Sequence, residues 1–231
     1  MATEKSLINT TYFLKQPNYI PNGYTSSVGG ISLPNKETDL KGLIAVLERG
    51  LLIQALGIVL YELLIAELEA DGDNWVIKAA APEKWKKLVN GETYVSTGQV
   101  SYRWEGLLGF NKNSLISDYI YSQFLIEEQQ KLTDLGVQLP KAANSETASI
   151  TPKLIRSWQR FVERYQAVDS EYPLIREDGY GTVVIDYHNN QNKTRSLYQY
   201  LIDKNELDAT NFPDLEFGFA DLSGSLNSLG I

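Results

Sequence analysis

The chain has a single histidine, His188, and it lies in the turn-like stretch HNNQNKT. A Ser-His-Asp relay would have to be built on that imidazole, yet no G-x-S-x-G elbow precedes it. Cysteine is absent, which excludes thiol catalysis, thiolate metal sites and disulfides. One imidazole likewise excludes a multi-histidine metal centre. No G-x-x-x-x-G-K-[ST] loop exists, and Gly179-Tyr180-Gly181 lacks the third glycine of a dinucleotide fingerprint. Glu127 and Glu128 are adjacent on a predicted helix, so they point to different sides and cannot face one substrate. Glu62, Glu67 and Glu69 read as the wet edge of a helix. Glu62 is the oddest of the three, because it sits inside an apolar run and calls for a cationic partner from another helix or subunit. Asp71-Gly72-Asp73-Asn74 lacks the twelve-residue EF-hand pattern and reads as a plain inter-helix turn. Lys84, Lys86 and Lys87 around Trp85 form a small basic patch. It reads as a solvated helix face, with contact to a nucleic-acid backbone or an acidic neighbour as the alternative. These residues make no catalytic constellation and call for no metal or cofactor.

The elements that would position them come from a chain of 231 residues, 43% hydrophobic and 11% aromatic, enough apolar material for a packed core. Its 29 acidic residues outnumber 21 basic ones, a formal charge of -8, which argues against a protein built to neutralise phosphates. The first residues lack the apolar core of a signal peptide, so the expectation is synthesis in a reducing cytoplasm. The longest apolar run, Leu51 to Ala66, falls short of the roughly 20 residues that span a bilayer and contains Gln54 and Glu62. It is expected to be a buried core helix, with no membrane contact.

Three regions follow from the patterning. Residues 1–37 form an extended N-terminal arm, whose Leu7, Ile8, Tyr12, Phe13 and Leu14 argue that it lies on other surface rather than dangling. Residues 38–170 read as a helical bundle. Thr38 or Asp39 caps a helix with Leu40, Leu43, Ile44 and Leu47 at helical spacing, and Gly50 is its expected break. Leu52, Leu56, Val59, Leu60, Leu63 and Ala66 are its expected buried stripe. A short helix follows between Pro82 and Gly91, then a small hairpin over Thr93 to Trp104, then a helix from Ser114 to Asp134. Thr151-Pro152 opens another helix, with Leu154, Ile155, Trp158, Phe161, Val162 and Tyr165 on one face. Residues 171–231 hold a strand over Gly181 to His188, a short helix over Thr194 to Asn205, and a tail of aromatics separated by breakers. The fold class is thus mainly α: about four bundled helices, a small β element and extended arms at both ends. Leu52, Leu56, Leu60, Trp104, Tyr119, Trp158 and Phe161 are the expected core. Phe212, Pro213, Leu215, Phe217, Phe219, Leu229 and Ile231, with Tyr12 and Phe13 of the arm, are the expected interface, because neither terminus can build a core alone. A chain cut before Asp208 is expected to fold but not to assemble.

Several of these segments resemble head–tail connector proteins of crAss-like bacteriophages. DLKGLIAVLERGLLIQALGIVLYELL, from Asp39 to Leu64, is similar to their opening helix. Trp85 to Gly91, Trp104-Glu105-Gly106-Leu107 and Tyr119-Ile120-Tyr121 follow in the same order, as do Gly136-Val137, Ala143-Asn144, Trp158 and Tyr165. The ending, SLYQYLIDKNELDATNFPDLEFGF and then NSLGI, resembles the tails of these proteins. The likeness covers residues 38–231, while the N-terminal arm and the strand near 183–187 match less well. Leu47 stands where the family often carries an aromatic residue.

The resemblance implies a non-enzymatic virion protein, a ring of about twelve copies beneath the portal that extends the DNA channel and joins capsid to tail. Its partners would be further copies of itself, the portal, and the adjacent ring or tail proteins, with DNA passing through the lumen without specific binding. Its place would be the virion's head–tail connector, after synthesis in the host bacterium's cytoplasm. Another neck component, a stopper or terminator, is the alternative within structural proteins. A small phage enzyme or assembly factor using His188 is the alternative from another class.

Overall fold

A computed structural model describes residues 5–21, 27–28, 31–32, 37–72, 74–129, 131–133, 136–138, 151–166, 174–177, 182–185 and 194–212. The fold is mainly α with small β elements. A one-turn 3₁₀ helix, Thr10–Phe13, is capped by the Asn9 side chain, which accepts from the Thr11 N–H at 2.9 Å. Strands β1 (Ser27–Val28) and β2 (Ile31–Ser32) pair antiparallel. Helix α1 follows (Glu37–Ala66), and then the hairpin of β3 (Leu68–Asp71) and β4 (Asn74–Ile77). Next come α2 (Glu83–Asn90), β5 (Glu92–Val95) and β6 (Ser101–Trp104). Helix α3 (Leu115–Gln129) leads to the hairpin of β7 (Lys131–Thr133) and β8 (Gly136–Gln138), and then to α4 (Thr151–Gln166). Strands β9 (Leu174–Glu177) and β10 (Thr182–Ile185) pair antiparallel, and β11 (Thr194–Arg195) precedes α5 (Leu197–Leu207).

Several boundaries differ from the sequence expectation. The break in α1 falls at Gly57, not Gly50: Gly57 adopts φ 76°, ψ 158°, a region only glycine occupies readily. Gly50 stays within the helix. The bend rephases the buried stripe. Before it, Leu40, Ile44, Leu51, Leu52 and Leu56 are buried; after it, Tyr61 and Leu64 are, while Val59, Leu63 and Ala66 face outward. Asp71 to Asn74 turns a β-hairpin rather than joining two helices. Helix α3 stops at Gln129, before the β7–β8 hairpin, instead of reaching Asp134.

Helix α2 matches its punctuation, with Pro82 before it and Gly91 after. Gly91 (φ 86°) and Gly106 (φ 84°) mark a crossing where the chain leaving α2 touches the chain leaving β6. A Cβ on Gly106 would meet the Gly91 nitrogen and the Val89 oxygen at 2.5 Å, so the backbones approach too closely for a side chain. β5 and β6 pair antiparallel, and β11 adds to β6 in parallel, so the C-terminal region joins the same three-stranded sheet. Ser196 and Gln199 form a reciprocal cap at the start of α5. Helix α3 packs chiefly on α4 and also meets α1, while α4 meets α5. Between α3 and α4, Tyr119, Trp158, Phe161 and Tyr165 stack as a ladder with centroids 5.0–6.4 Å apart. One hydrophobic cluster runs from Leu7 through these helices to Phe212.

A fully buried carboxylate lies inside this core. Asp118 of α3 accepts from Arg164 Nη1 at 2.7 Å and from Arg160 Nε at 3.0 Å, both on α4. Asn18 of the N-terminal arm donates to it at 2.9 Å and accepts from Arg160 Nη2 at 2.8 Å. Arg164 Nη1 also donates to Asn113 at 2.9 Å. Removing the carboxylate takes away the acceptor shared by buried Arg164 and half-buried Arg160, so Asp118→Ala should lose about 3–5 kcal/mol of unfolding free energy, and Asp118→Asn less. Denaturant titration checks this; a loss under 1 kcal/mol in the alanine variant would show that the arginines find other partners.

Candidate assembly surface

Past Gly57 the outer side of α1 is apolar. Ile58 is 46% exposed, Val59 67% and Leu63 49%, with exposed Glu62 among them. Val59 and Leu63 are i, i+4 neighbours on one face. By length and composition alone α1 is able to cross a membrane: its most apolar 18 residues have a mean hydropathy of 2.0, but only 33% of them are buried. Wholly buried, as the sequence suggested, the helix is not. Its first half faces the core, and its second half shows much of its apolar side chain to the outside.

A second surface lies where α2 meets the end of α5. There Pro82, Lys84, Lys87, Lys204, Leu207 and Phe212 line a groove of ≈ 220 Å³. Lys204 contacts the Glu92 carboxylate at 2.6 Å and Lys87 lies 3.6 Å from it, while Tyr200 donates to Glu92 at 2.9 Å. Burial, and then the Glu92 charge, pushes the Tyr200 hydroxyl far above the usual tyrosine range. Nearby, Tyr94 donates to Asp203 at 2.6 Å and Arg195 pairs with Asp203 at 2.9 Å. The guanidinium of Arg195 sits 3.7 Å over the Tyr102 ring. Trp104 stacks on Tyr200, centroids 5.1 Å apart, and gives its N–H to the Leu88 carbonyl at 2.9 Å.

No protein-family model, curated protein or solved structure matches this chain. The sites therefore rest on their own geometry. Among the described residues no group of three or more His, Asp or Glu side chains is placed to hold a metal ion. Of the expected core, Leu52, Leu56, Trp104, Trp158 and Phe161 are buried, and Leu60 and Tyr119 are partly so. Two of the expected interface residues lie inside instead. Phe13 is sealed in the chain's own core, because the 3₁₀ turn directs it there, and Phe212 is 8% exposed with its ring edge-on to Tyr200. Tyr12 is half-buried and donates to the Leu108 carbonyl at 3.3 Å. Pro213, Leu215, Phe217, Phe219, Leu229, Ile231 and His188 lie outside the described residues. Asp208 and Phe212 belong to the folded body: the Asp208 N–H closes α5 on Lys204, and Asn205 donates to the Phe212 carbonyl at 2.7 Å. A truncation that spares the fold therefore starts after Phe212, not before Asp208. The lysines around Trp85 are not one patch either, since Lys86 pairs with Glu83 and Lys87 with Glu92, leaving Lys84 over the Trp85 ring.

The buried carboxylate of α1 is Glu48, not Glu62. Glu62 is exposed, whereas Glu48 is 1% exposed and accepts the N–H groups of Leu7 at 2.6 Å and Ile8 at 3.1 Å. Its place in the stripe Ile44, Glu48, Leu52 was a readable signal, because all three fall on the inward face at i, i+4 spacing. With these bonds Glu48 holds the arm to the helix, joined by Lys5, which donates to the Ile65 and Leu68 carbonyls. Burial raises the Glu48 carboxyl to about 7, against the opposing pull of the two N–H donors. A carboxyl raised in the folded state binds its proton more tightly there than in the unfolded chain. Its contribution is therefore fully present below the unfolded value of 4.5 and is lost as pH rises through about 7. Between pH 5 and 8 the wild type should lose about 3 kcal/mol more stability than Glu48→Gln, whose side chain does not titrate. Parallel slopes in denaturant titrations across that range would contradict it.

Proposed function

We propose that this chain is a non-enzymatic virion protein that closes into a ring of about twelve copies in a phage head–tail connector. The observation that carries the reading is the apolar outer face of α1 past the Gly57 bend, on a helix whose opposite side is seated in the core. Ile58, Val59 and Leu63 leave water only if something covers them, and a repeated contact between copies covers each in turn. The bend and the exposed Gln54 and Glu62 suit a protein partner better than lipid, where interrupted backbone and charge are costly. Helices α1, α3, α4 and α5 would act together as a bundle, a rigid wedge between neighbours. The ordered resemblance of residues 38–231 to crAss-like connectors supplies the biological setting. The commitment of Asp118, Arg160, Arg164, Arg195 and Asp203 to structural pairs supports a scaffold rather than a catalyst.

In this reading the ring sits below the portal and lines the path of the DNA. Quantitative peptide mass spectrometry of purified virions tests the placement: equal copies of this chain and the portal are expected, and absence from virions would refute it. The joint is tested with Val59→Asp combined with Leu63→Asp. The purified wild type should form rings by mass photometry and electron microscopy. The double variant should keep its helical circular dichroism yet shift the assembly midpoint at least 100-fold in concentration. Rings unaffected by both charges would remove α1 from the joint.

A further inference from the structure

Apart from the α1 face, a groove lies between α2 and the end of α5. Its lining is apolar at Pro82, Leu207 and Phe212 and cationic at Lys84, Lys87 and Lys204. Its carboxylates are already engaged. Glu83 holds Lys86, Glu92 is shared by Lys87 and Lys204, and Asp208 accepts from Asn211. Lys84 has no carboxylate partner among the described residues; it reaches only the Asn211 carbonyl, at 3.3 Å, and the Trp85 ring. The lining thus holds three lysines and three carboxylates, and Lys84 is the lysine left without a carboxylate partner among the described residues.

The nineteen residues that follow Phe212, PDLEFGFADLSGSLNSLGI, hold Asp214, Glu216 and Asp221 and no Lys, Arg or His. Their Leu215, Phe217 and Phe219 alternate with those acids and glycine, the mixture that a lysine-edged apolar groove would take. Asn211 and Phe212 are themselves part of the groove wall. Nineteen residues reach at most about 60 Å, farther than the roughly 40 Å breadth of a body this size.

We infer that the groove receives the acidic, aromatic C-terminal segment of a neighbouring copy, with Lys84 pairing Asp214 or Glu216 across the joint. This rests on the assembly of copies proposed above and names the second contact at each joint. The partner is another molecule of the same chain, handed on around the ring as a heterologous contact.

The test uses full-length protein, unlabelled and ¹⁵N-labelled, mixed before assembly and treated with a zero-length carbodiimide. Links joining Lys84, Lys87 or Lys204 to Asp214, Glu216 or Asp221 should carry one light and one heavy peptide about half the time. Lys84→Glu should raise the assembly midpoint about tenfold, and adding Asp214→Lys with Glu216→Lys should restore it. Links confined to same-isotope pairs would overturn the proposal by giving the groove to the chain's own tail. Rings without such links would overturn it while leaving the connector reading intact. Monomers without mixed links would overturn both.

Discussion

The buried carboxylate of Asp118 is the constraint on which the rest of the fold depends. It ties α3 to α4 through two arginines and ties both to the N-terminal arm through Asn18. Taking three charges out of water is costly, and an apolar substitute of the same volume often packs as stably. What a directional cluster adds is register. Arg160 and Arg164 are one helical turn apart, so both reach one carboxylate only when α4 lies at one height against α3. That height also sets Tyr119 against Trp158 and Phe161, and Asn18 then fixes where the arm crosses.

Glu48 does the complementary work at the other end of the arm. Its acceptors hold Leu7 and Ile8 by their backbone N–H groups, so the contact depends little on which side chains the arm carries there. A segment with no helical or strand period is thus ordered from both ends by carboxylates of the helices beneath it. Its apolar residues Leu7, Ile8, Phe13 and Ile20 fill the space between. The Asp118 carboxylate is met by two guanidinium groups, whereas Glu48 is met by two backbone N–H groups, and burial raises the Glu48 carboxyl against their pull.

Much of the fold was legible where the chain carries punctuation. Pro82 and Gly91 bracket α2, and the run Leu154, Trp158, Phe161, Tyr165 states the inward face of α4, whereas the helix expected over Thr194 to Asn205 begins only at Leu197, after the β11 strand. Legibility failed where long-range contacts decide. Phe13 read as an interface residue because its burial depends on partners such as α1 and α3, far along the chain. Gly50 and Gly57 look alike in sequence, and only packing decides which one leaves helical geometry. Once Gly57 bends, the extrapolated stripe through Val59 and Leu63 turns outward, so the same misplaced break that upset the core prediction hid the candidate surface.

The bend also resolves an apparent contradiction in the sequence. The run from Leu51 to Ala66, broken only by Gln54 and Glu62, carries more apolar surface than one side of a helix in a body this small can bury. A straight helix would spread that excess along its whole length, whereas the turn at Gly57 collects it beyond the bend, at Ile58, Val59 and Leu63. Concentrated there, the excess would serve as the contact surface that the proposed ring needs each copy to present. The charge distribution points the same way. Arg160, Arg164 and Arg195 are held by carboxylates within the body, so they are committed before any phosphate approaches, and a chain of net charge -8 offers DNA little to grip. In the proposed ring, a conduit that DNA must traverse would benefit from that indifference, and the α1 face would add apolar area that ionic conditions scarcely weaken.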